Sequence, residues 1–172
     1  MCMGSWAQAV IFPQKKQPGV AKITQKSNSY QLANKVLKAS FINTGGKLYF
    51  NGCSELGLQP DTELFKVLLG DGSTVAASKM KLEDVKIVTL GEDPSAAIAS
   101  LRYAGKALEA RFTYGDLSIT WRAVLRDGSH YLRTEMDIKA ARDLSMKGTV
   151  SFTSVKSSIR FRISSIFSLI WR

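Results

Sequence analysis

The stretch Leu117–Lys139 reads LSITWRAVLRDGSHYLRTEMDIK and contains two alternating runs on either side of one turn. In the first run the apolar residues fall at odd positions, and in the second they fall at even positions. Alternation with a period of two is typical of strands that bury one face. The Asp127-Gly128 pair between the runs is a strong hairpin signal, because glycine adopts positive φ at no steric cost. The stretch therefore predicts an antiparallel β-hairpin with one apolar face.

The rest of residues 28–148 follows the same pattern of short β runs separated by turn residues. We expect strands across Tyr30–Phe50 around an Asn43–Gly46 turn, a hairpin over Leu64–Ser78, a strand at Leu82–Leu90, and a hairpin formed by Ala96–Tyr103 and Ala107–Tyr114. No long stretch has helical periodicity. Many short strands with regular turn signals indicate a sandwich or barrel, and short connections indicate antiparallel order. The predicted fold class is all-β, an antiparallel β-sandwich with an irregular N-terminal lead-in and an atypical C-terminal tail.

The net charge of +10 is concentrated at the two ends of the 172-residue chain. Residues 1–40 contain six lysines and no acid, and residues 147–172 contain five basic residues and no acid. The segment between them is nearly neutral. Because a nucleic-acid footprint should lie on the folded face, we do not expect a nucleic-acid partner.

Cysteine and histidine are too few to predict a metal site. The chain has Cys2, Cys53 and one histidine, His130, with no pair of ligands at metal-binding spacing. Motifs for nucleophilic catalysis, zinc hydrolysis or phosphate binding are also missing. We therefore expect no metal, no cofactor and no catalytic residue in this chain, and we interpret Cys53 as a half-buried thiol.

The N-terminal residues 1–9, MCMGSWAQA, end in the A-x-A pattern of a signal-peptidase site at Ala7–Ala9. We interpret them as the remnant of a signal peptide; an ordinary frayed terminus is the alternative. Residues 10–27 are polar, basic and contain Pro13 and Pro18, so they predict a loose lead-in with one strand at Val20–Thr24.

The C-terminal residues 149–172 differ in character from the body. They contain many serines and large apolar residues, several basic residues and no acid. Three interpretations stay open: a cationic amphipathic helix on a membrane, foreign sequence after a frameshift, and a normal last strand. We favour the foreign sequence, expect a poorly packed tail, and do not expect membrane contact.

Three residues are candidates for carbohydrate binding: Trp121, His130 and Tyr131. A tryptophan can stack on a sugar, but Trp121 shares its strand face with apolar neighbours, which favours a core position. His130 follows a hairpin turn, which favours a surface position. Glu135 and Asp137 lie on one strand face, and two carboxylates are what glycoside hydrolysis requires. The same spacing suits a solvated face that pairs with Arg133 and Lys139, and we favour that interpretation.

Residues Trp121–Arg133, WRAVLRDGSHYLR, resemble a strand–turn–strand in large secreted bacterial glycoside hydrolases of the α-galactosidase and endo-α-N-acetylgalactosaminidase type. In those proteins the motif lies in an N-terminal β-sandwich similar to the galactose-mutarotase supersandwich, which precedes a catalytic (β/α) barrel. The turn at Asn43–Gly46 and the residues around Glu63–Phe65 and Asp71–Ser73 also fit. The resemblance covers residues 28–148.

The resemblance implies a non-catalytic, incomplete supersandwich that supports a barrel and shapes a glycan cleft. It implies a secreted, periplasmic or cell-surface location, with a glycan and a barrel domain that is absent from this chain as partners. The family's sandwich domains are longer than this one, and the tail after Gly148 does not continue the pattern. The family's catalytic carboxylates lie in the barrel, so none is carried over. A stand-alone, lectin-like carbohydrate-binding module is the alternative.

Overall fold

Eleven strands form three antiparallel sheets in the part of the chain that the structure describes. The structure is a computed structural model that describes residues 16–53 and 63–141 in full and residues 161–167 as backbone. The strands are β1 (Lys22–Lys26), β2 (Ser29–Ala33), β3 (Lys38–Thr44), β4 (Lys47–Cys53), β5 (Lys66–Leu68), β6 (Thr74–Ala76), β7 (Lys81–Leu90), β8 (Gly105–Tyr114), β9 (Leu117–Arg126), β10 (Leu132–Ala140) and β11 (Phe161–Phe167). Two short 3-10 turns lie at Ala77–Lys79 and Ala99–Arg102. The all-β prediction is confirmed.

The sheets follow the order of the chain almost throughout. A four-stranded sheet has the order β1-β2-β3-β4, a five-stranded sheet has the order β11-β10-β9-β8-β7, and β5 and β6 form a separate ribbon. Every pair is antiparallel, and most of the pairs are joined by short turns, which can connect only antiparallel neighbours. The predicted β9–β10 hairpin lies at the centre of the five-stranded sheet.

The two larger sheets pack face to face around an aromatic centre. Trp121 of β9 meets Phe41 of β3 edge to face, with ring centroids 5.6 Å apart, and Phe41 meets Phe50 of β4 at 5.4 Å. Phe112 of β8 contacts Phe65 at 5.2 Å. Perpendicular ring pairs of this kind suit the aromatic quadrupole and add to the energy of burial. The core is therefore built from the inward residues of both sheets, as a sandwich requires.

The alternation that predicted the β9–β10 hairpin is realised in the burial of its residues. Leu117, Ile119, Trp121, Ala123 and Leu125 are all buried on the inner face. In β10 the inward residues Leu132 and Ile138 are buried in the same core. The ribbon of β5 and β6 likewise matches the hairpin expected over Leu64–Ser78.

The predicted strand at Ala96–Tyr103 is wrong. Residues 91–104 form a connection between β7 and β8 that contains the 3-10 turn Ala99–Arg102. The Asp93 carboxylate accepts hydrogen bonds from the backbone N–H and the hydroxyl of Ser95, and these bonds close a local turn around Pro94. Arg102 Nε donates to the carbonyl of Ala96 at 2.9 Å, so the alanine-rich segment is folded back on itself instead of extended.

At the N- and C-terminal ends of the chain, the structure describes part of the predicted lead-in and part of the predicted tail. The range 10–27 contains β1, which pairs along its whole length with β2, so this part of the lead-in is a sheet strand. Of the tail, residues 161–167 form β11 and pair with β10 in the register Leu132↔Phe167 to Ile138↔Phe161. That part therefore agrees with the last-strand interpretation. Residues 1–9 lie outside the described residues, and within the described ranges no helix could span a membrane.

Candidate functional site

The turn after β9 connects three distant parts of the chain. Asp127 Oδ1 accepts the N–H of Ala21 at 2.7 Å, and the N–H of Asp127 donates to the carbonyl of Ala104 at 2.9 Å. The next residue, Gly128, has φ of 73° and donates its N–H to Gly19 at 2.9 Å. Positive φ at Gly128 is the feature that the Asp-Gly pair predicted, and it is confirmed. The turn thus holds the segment before β1 and the end of the β7–β8 connection.

A second set of bonds fixes the end of this turn against the four-stranded sheet. Asn34, in the β2–β3 turn, donates its amide to the carbonyl of Ser129 at 2.7 Å. Asn34 Oδ1 accepts the N–H groups of Val36 and Leu37 at 3.0 and 2.9 Å. The hydroxyl of Ser129 donates to the carbonyl of Tyr131 at 2.8 Å. Both turns are therefore internally braced and attached to each other.

Arg126 clamps the two ends of the 91–104 connection. Its Nη1 donates to the carbonyl of Gly91 at 3.0 Å and to that of Tyr103 at 2.6 Å. Arg133 reaches the middle of the same connection and donates to Ser100 Oγ at 2.8 Å. Burial lowers the pKa of Arg126, and the nearby positive charge of Arg133 acts in the same direction. The residues Arg126 to Ser129, at the centre of the stretch that carries the resemblance, therefore all make hydrogen bonds that hold the fold.

The three candidate carbohydrate-binding residues occupy different environments. Trp121 is 2% exposed and packs against Phe41, so neither ring face is open to a sugar. This is the core position that its neighbours in sequence favoured. His130 and Tyr131 are both half-buried at the end of the β9–β10 turn. The structure brings these two together and leaves Trp121 on the inner side of the sheet.

The carboxylates of the five-stranded sheet lie in a row of ion pairs on its outer face. Glu109 of β8 accepts from Lys86 of β7 at 2.9 Å and from Arg122 of β9 at 2.5 Å. Arg122 also binds Asp137 of β10 at 3.2 Å. Burial acts to raise the pKa of Glu109, but the hydrogen bonds and positive charges of Lys86 and Arg122 outweigh it and hold the pKa below its usual value.

Glu135 and Asp137, the pair considered for acid–base work, are both neutralised by arginine. Glu135 is 5% exposed and accepts from Arg133 Nη2 at 2.5 Å. Asp137 pairs with Arg122 across the strands, whereas the sequence analysis expected Lys139. The solvated-face interpretation is therefore confirmed for the pairing of Glu135 with Arg133, and it is wrong about the partner of Asp137 and about the exposure of Glu135, which is buried.

A shallow cleft lies beside the attached turns at one end of the sandwich. It has a volume of about 390 Å³ and is lined by Gly19, Val20, Lys22, Ala33, Asn34 and Lys35. Asn34 connects it directly to the turn that carries His130 and Tyr131. Its two lysines belong to the acid-free residues 1–40, whose charge the sequence pattern assigned to an end of the chain, whereas the structure places Lys22 in β1 of the four-stranded sheet.

The described residues contain no group of three or more histidine, cysteine or acidic side chains placed to hold a metal ion. A scan against protein-family models, a search of curated proteins and a search of solved structures each found no match.

Proposed function

We propose that this chain is the non-catalytic β-sandwich portion of a secreted glycan-degrading protein, in which it supports a catalytic domain and shapes a glycan cleft. The observation that carries the proposal is the use made of Arg126–Ser129. These residues, central to the resemblance, bind Gly91, Tyr103, Ala104, Ala21, Gly19 and Asn34 and thereby make one end of the sandwich rigid. A motif whose residues are all used to hold the fold together suits a supporting domain.

The state of the carboxylates also supports a non-catalytic role. Glycoside hydrolysis requires a protonated acid and an ionised carboxylate on either side of the bond. Glu135 and Asp137 are each engaged in an ion pair with an arginine of the same sheet. Both residues lie on one strand with the same orientation and do not face each other across a cleft.

The first test is turnover. The purified full chain is incubated with aryl α-galactosides and aryl α-N-acetylgalactosaminides, together with a Glu135→Gln variant and a Glu83→Gln control on the exposed β7 edge. We expect no turnover above background for any of them. Hydrolysis that is lost in Glu135→Gln and retained in Glu83→Gln would overturn the non-catalytic assignment.

The second test concerns the catalytic partner. The genomic DNA that flanks the coding region is translated in all three frames and examined for a (β/α) barrel. We expect a barrel with its own carboxylate pair in one of these frames. Flanking DNA that encodes only unrelated proteins would remove the supporting role.

A second candidate function, a stand-alone carbohydrate-binding module, is favoured by the cleft beside the β9–β10 turn. Its volume of about 390 Å³ is within the range of small-ligand sites, and the adjoining turn is braced in advance of binding. Tyr131→Ala should then abolish binding on an array of neutral galactosides, whereas Tyr114→Ala, at the far end of β8, should not. A silent array would exclude this candidate without affecting the supporting role.

A further inference from the structure

The outer face of the four-stranded sheet has a charge distribution that the sequence analysis did not anticipate. Residues 16–53, which form this sheet and its turns, contain six lysines and no aspartate, glutamate or arginine. Residues 63–141, which form β5 to β10 and their connections, contain eleven basic and eleven acidic residues. Within residues 16–53 and 63–141, the net positive charge therefore belongs to the four-stranded sheet and its turns.

The strand register places the lysines of this sheet on its outer surface. Tyr30, Leu32, Phe41 and Leu48 point into the core, so their immediate neighbours along each strand point outward. Lys22 of β1 lies opposite Ala33 of β2, and Ala33 lies opposite Lys38 of β3. Lys26 lies opposite Ser29, and Lys47 lies opposite Thr44. Lys22, Lys26 and Lys47 are exposed.

Hydrogen-bonding side chains occupy the surface between these lysines. Thr24, Gln31 and Ser40 form one row across β1, β2 and β3. Ile42 and Tyr49 form another pair across β3 and β4, and both are half-buried. The basic sheet face, meaning the outward residues of β1 to β4, thus combines separated point charges with hydroxyl and amide groups.

The two sheets differ in the ion pairing of their charged side chains. On the five-stranded sheet, Lys86, Arg122 and Arg133 are each paired with a carboxylate. On the basic sheet face, Lys22, Lys26 and Lys47 make no ion pair with any described residue. Lys22 and Lys26 are four residues apart on one strand, about 13 Å, which exceeds the screening length of about 8 Å, so they act as separate point charges. Three exposed lysines with no carboxylate partner among the described residues favour the approach of a polyanion.

We propose that the basic sheet face binds an acidic polysaccharide through its carboxylate or sulfate groups. Lysine is a flexible point charge that suits anionic groups spaced along a chain, and the rows of Thr, Gln and Ser side chains can bond to sugar hydroxyls. Single-stranded nucleic acid is a poorer fit, because sheet platforms that bind it present exposed aromatic rings. Here the only aromatic ring on the face is Tyr49, which is half-buried, and there is no arginine.

The cleft at the end of the face extends the same surface. It includes Lys22 and Lys35 around Ala33, and the stem of Lys35 lies within 3.3 Å of the position that a Cβ on Gly19 would take. Because Lys22 belongs to both the cleft and the basic sheet face, a polymeric ligand can contact the two surfaces at once. The inference rests on charge and register, and it does not depend on the proposed supporting role.

The test uses the full chain and a charge-matched pair of variants. One variant carries Lys22→Gln, Lys26→Gln and Lys47→Gln on the basic sheet face. The other carries Lys66→Gln, Lys79→Gln and Lys139→Gln, three exposed lysines elsewhere on the sandwich, so both lose the same net charge. Thermal unfolding followed by circular dichroism verifies that both variants fold.

Binding is measured against heparin as a sulfated probe and polygalacturonate as a carboxylated one, with dextran, a thymidine oligonucleotide and phosphatidylserine vesicles as comparisons. We expect one or both acidic polysaccharides to bind at about 0.15 M salt, and the sheet-face variant to bind at least about tenfold more weakly than the control variant. Equal losses in the two variants would show that net charge alone is responsible and would overturn the proposal. So would the absence of binding, or equal or tighter binding of the oligonucleotide or the vesicles through the same three lysines.

Discussion

At the scale of single residues, every residue of the turn Arg126–Ser129 makes a hydrogen bond to another part of the fold. Gly128 supplies a backbone conformation, Asp127 supplies an acceptor for Ala21, and Arg126 supplies donors for two carbonyl groups. Each role requires that residue type. The motif therefore needs no ligand to account for it.

Replacing Gly128 tests the conformational part of this account. Gly128→Val should lower the free energy of unfolding by about 1–3 kcal/mol, because a β-branched residue resists the observed φ of 73°. Gly91→Val is the control, since Gly91 has ordinary φ and open space around its Cβ position. Urea denaturation of both variants provides the measurement, and equal losses would contradict the account.

Glu109 should contribute to acid sensitivity. Its pKa is held below 4.5 in the folded protein, so the unfolded chain takes up the proton first as the pH falls. The stabilisation from Lys86 and Arg122 is complete above about pH 4.5 and is lost as the pH falls through the lower, folded pKa. Unfolding free energies between pH 6 and pH 3 should therefore decline less steeply in Glu109→Gln than in Glu92→Gln, an exposed control. Identical slopes would mean that the ion-pair row does not act in this way.

At the scale of elements, the 91–104 connection is shaped by contacts made far along the chain. Its ends are joined through Arg126, and its centre is held by Arg133. Local sequence alone favoured an extended run at Ala96–Tyr103. The tertiary hydrogen bonds overrode that preference because a guanidinium group can satisfy two carbonyls that an isolated strand would leave to water.

Removing the clamp should release this connection. We expect Arg126→Met to cost about 1.5–3 kcal/mol of stability and to speed proteolytic cleavage within residues 91–104. Arg126→Lys should not restore the wild type, because an ammonium group lacks the planar fork of arginine. Arg111→Met, which breaks only an exposed pair with Asp84, should cost at most about 1 kcal/mol. If the protease cleaves the Arg126→Met variant within residues 91–104 no faster than it cleaves the Arg111→Met variant, the clamp has no role in ordering the connection.

At the scale of the whole molecule, the two sheets are joined by the aromatic centre and by the attached turns at one end. The rings of Phe41 and Trp121 come from different sheets, so their contact makes the stability of each sheet depend on the other. The outer faces differ, with ion pairs between neighbouring strands on one and, on the other, Lys22, Lys26 and Lys47, which make no ion pair with a described residue.

Trp121→Ala should therefore unfold both sheets together. We expect a loss of about 3–5 kcal/mol, because a large cavity would open between the sheets. Tyr103→Ala, at a residue that is 58% exposed, should stay within about 0.5 kcal/mol of wild type. Far-ultraviolet and near-ultraviolet circular dichroism should report coincident transitions. Separate transitions for the two signals would show that the sheets fold independently.

The sequence predicted those parts of the site that depend on local pattern. Period-two alternation indicated β9 and β10 and the core position of Trp121, and Asp127-Gly128 indicated the turn. Charge spacing along β10 indicated that Glu135 and Asp137 would be paired. It did not identify Arg122 as the partner of Asp137, because that pair joins neighbouring strands.

The sequence by itself determined that this protein is an antiparallel β-sandwich, since alternation and turn chemistry are encoded within a few residues. Only the tertiary structure decided which charges neutralise each other. In the five-stranded sheet, strand register brings Glu109 between Lys86 and Arg122, whereas in the four-stranded sheet it brings Lys22 beside Ala33 and Lys47 beside Thr44. Net charge along the chain is additive, but Coulomb energy depends on distances between strands, and those distances exist only after the sheets have formed.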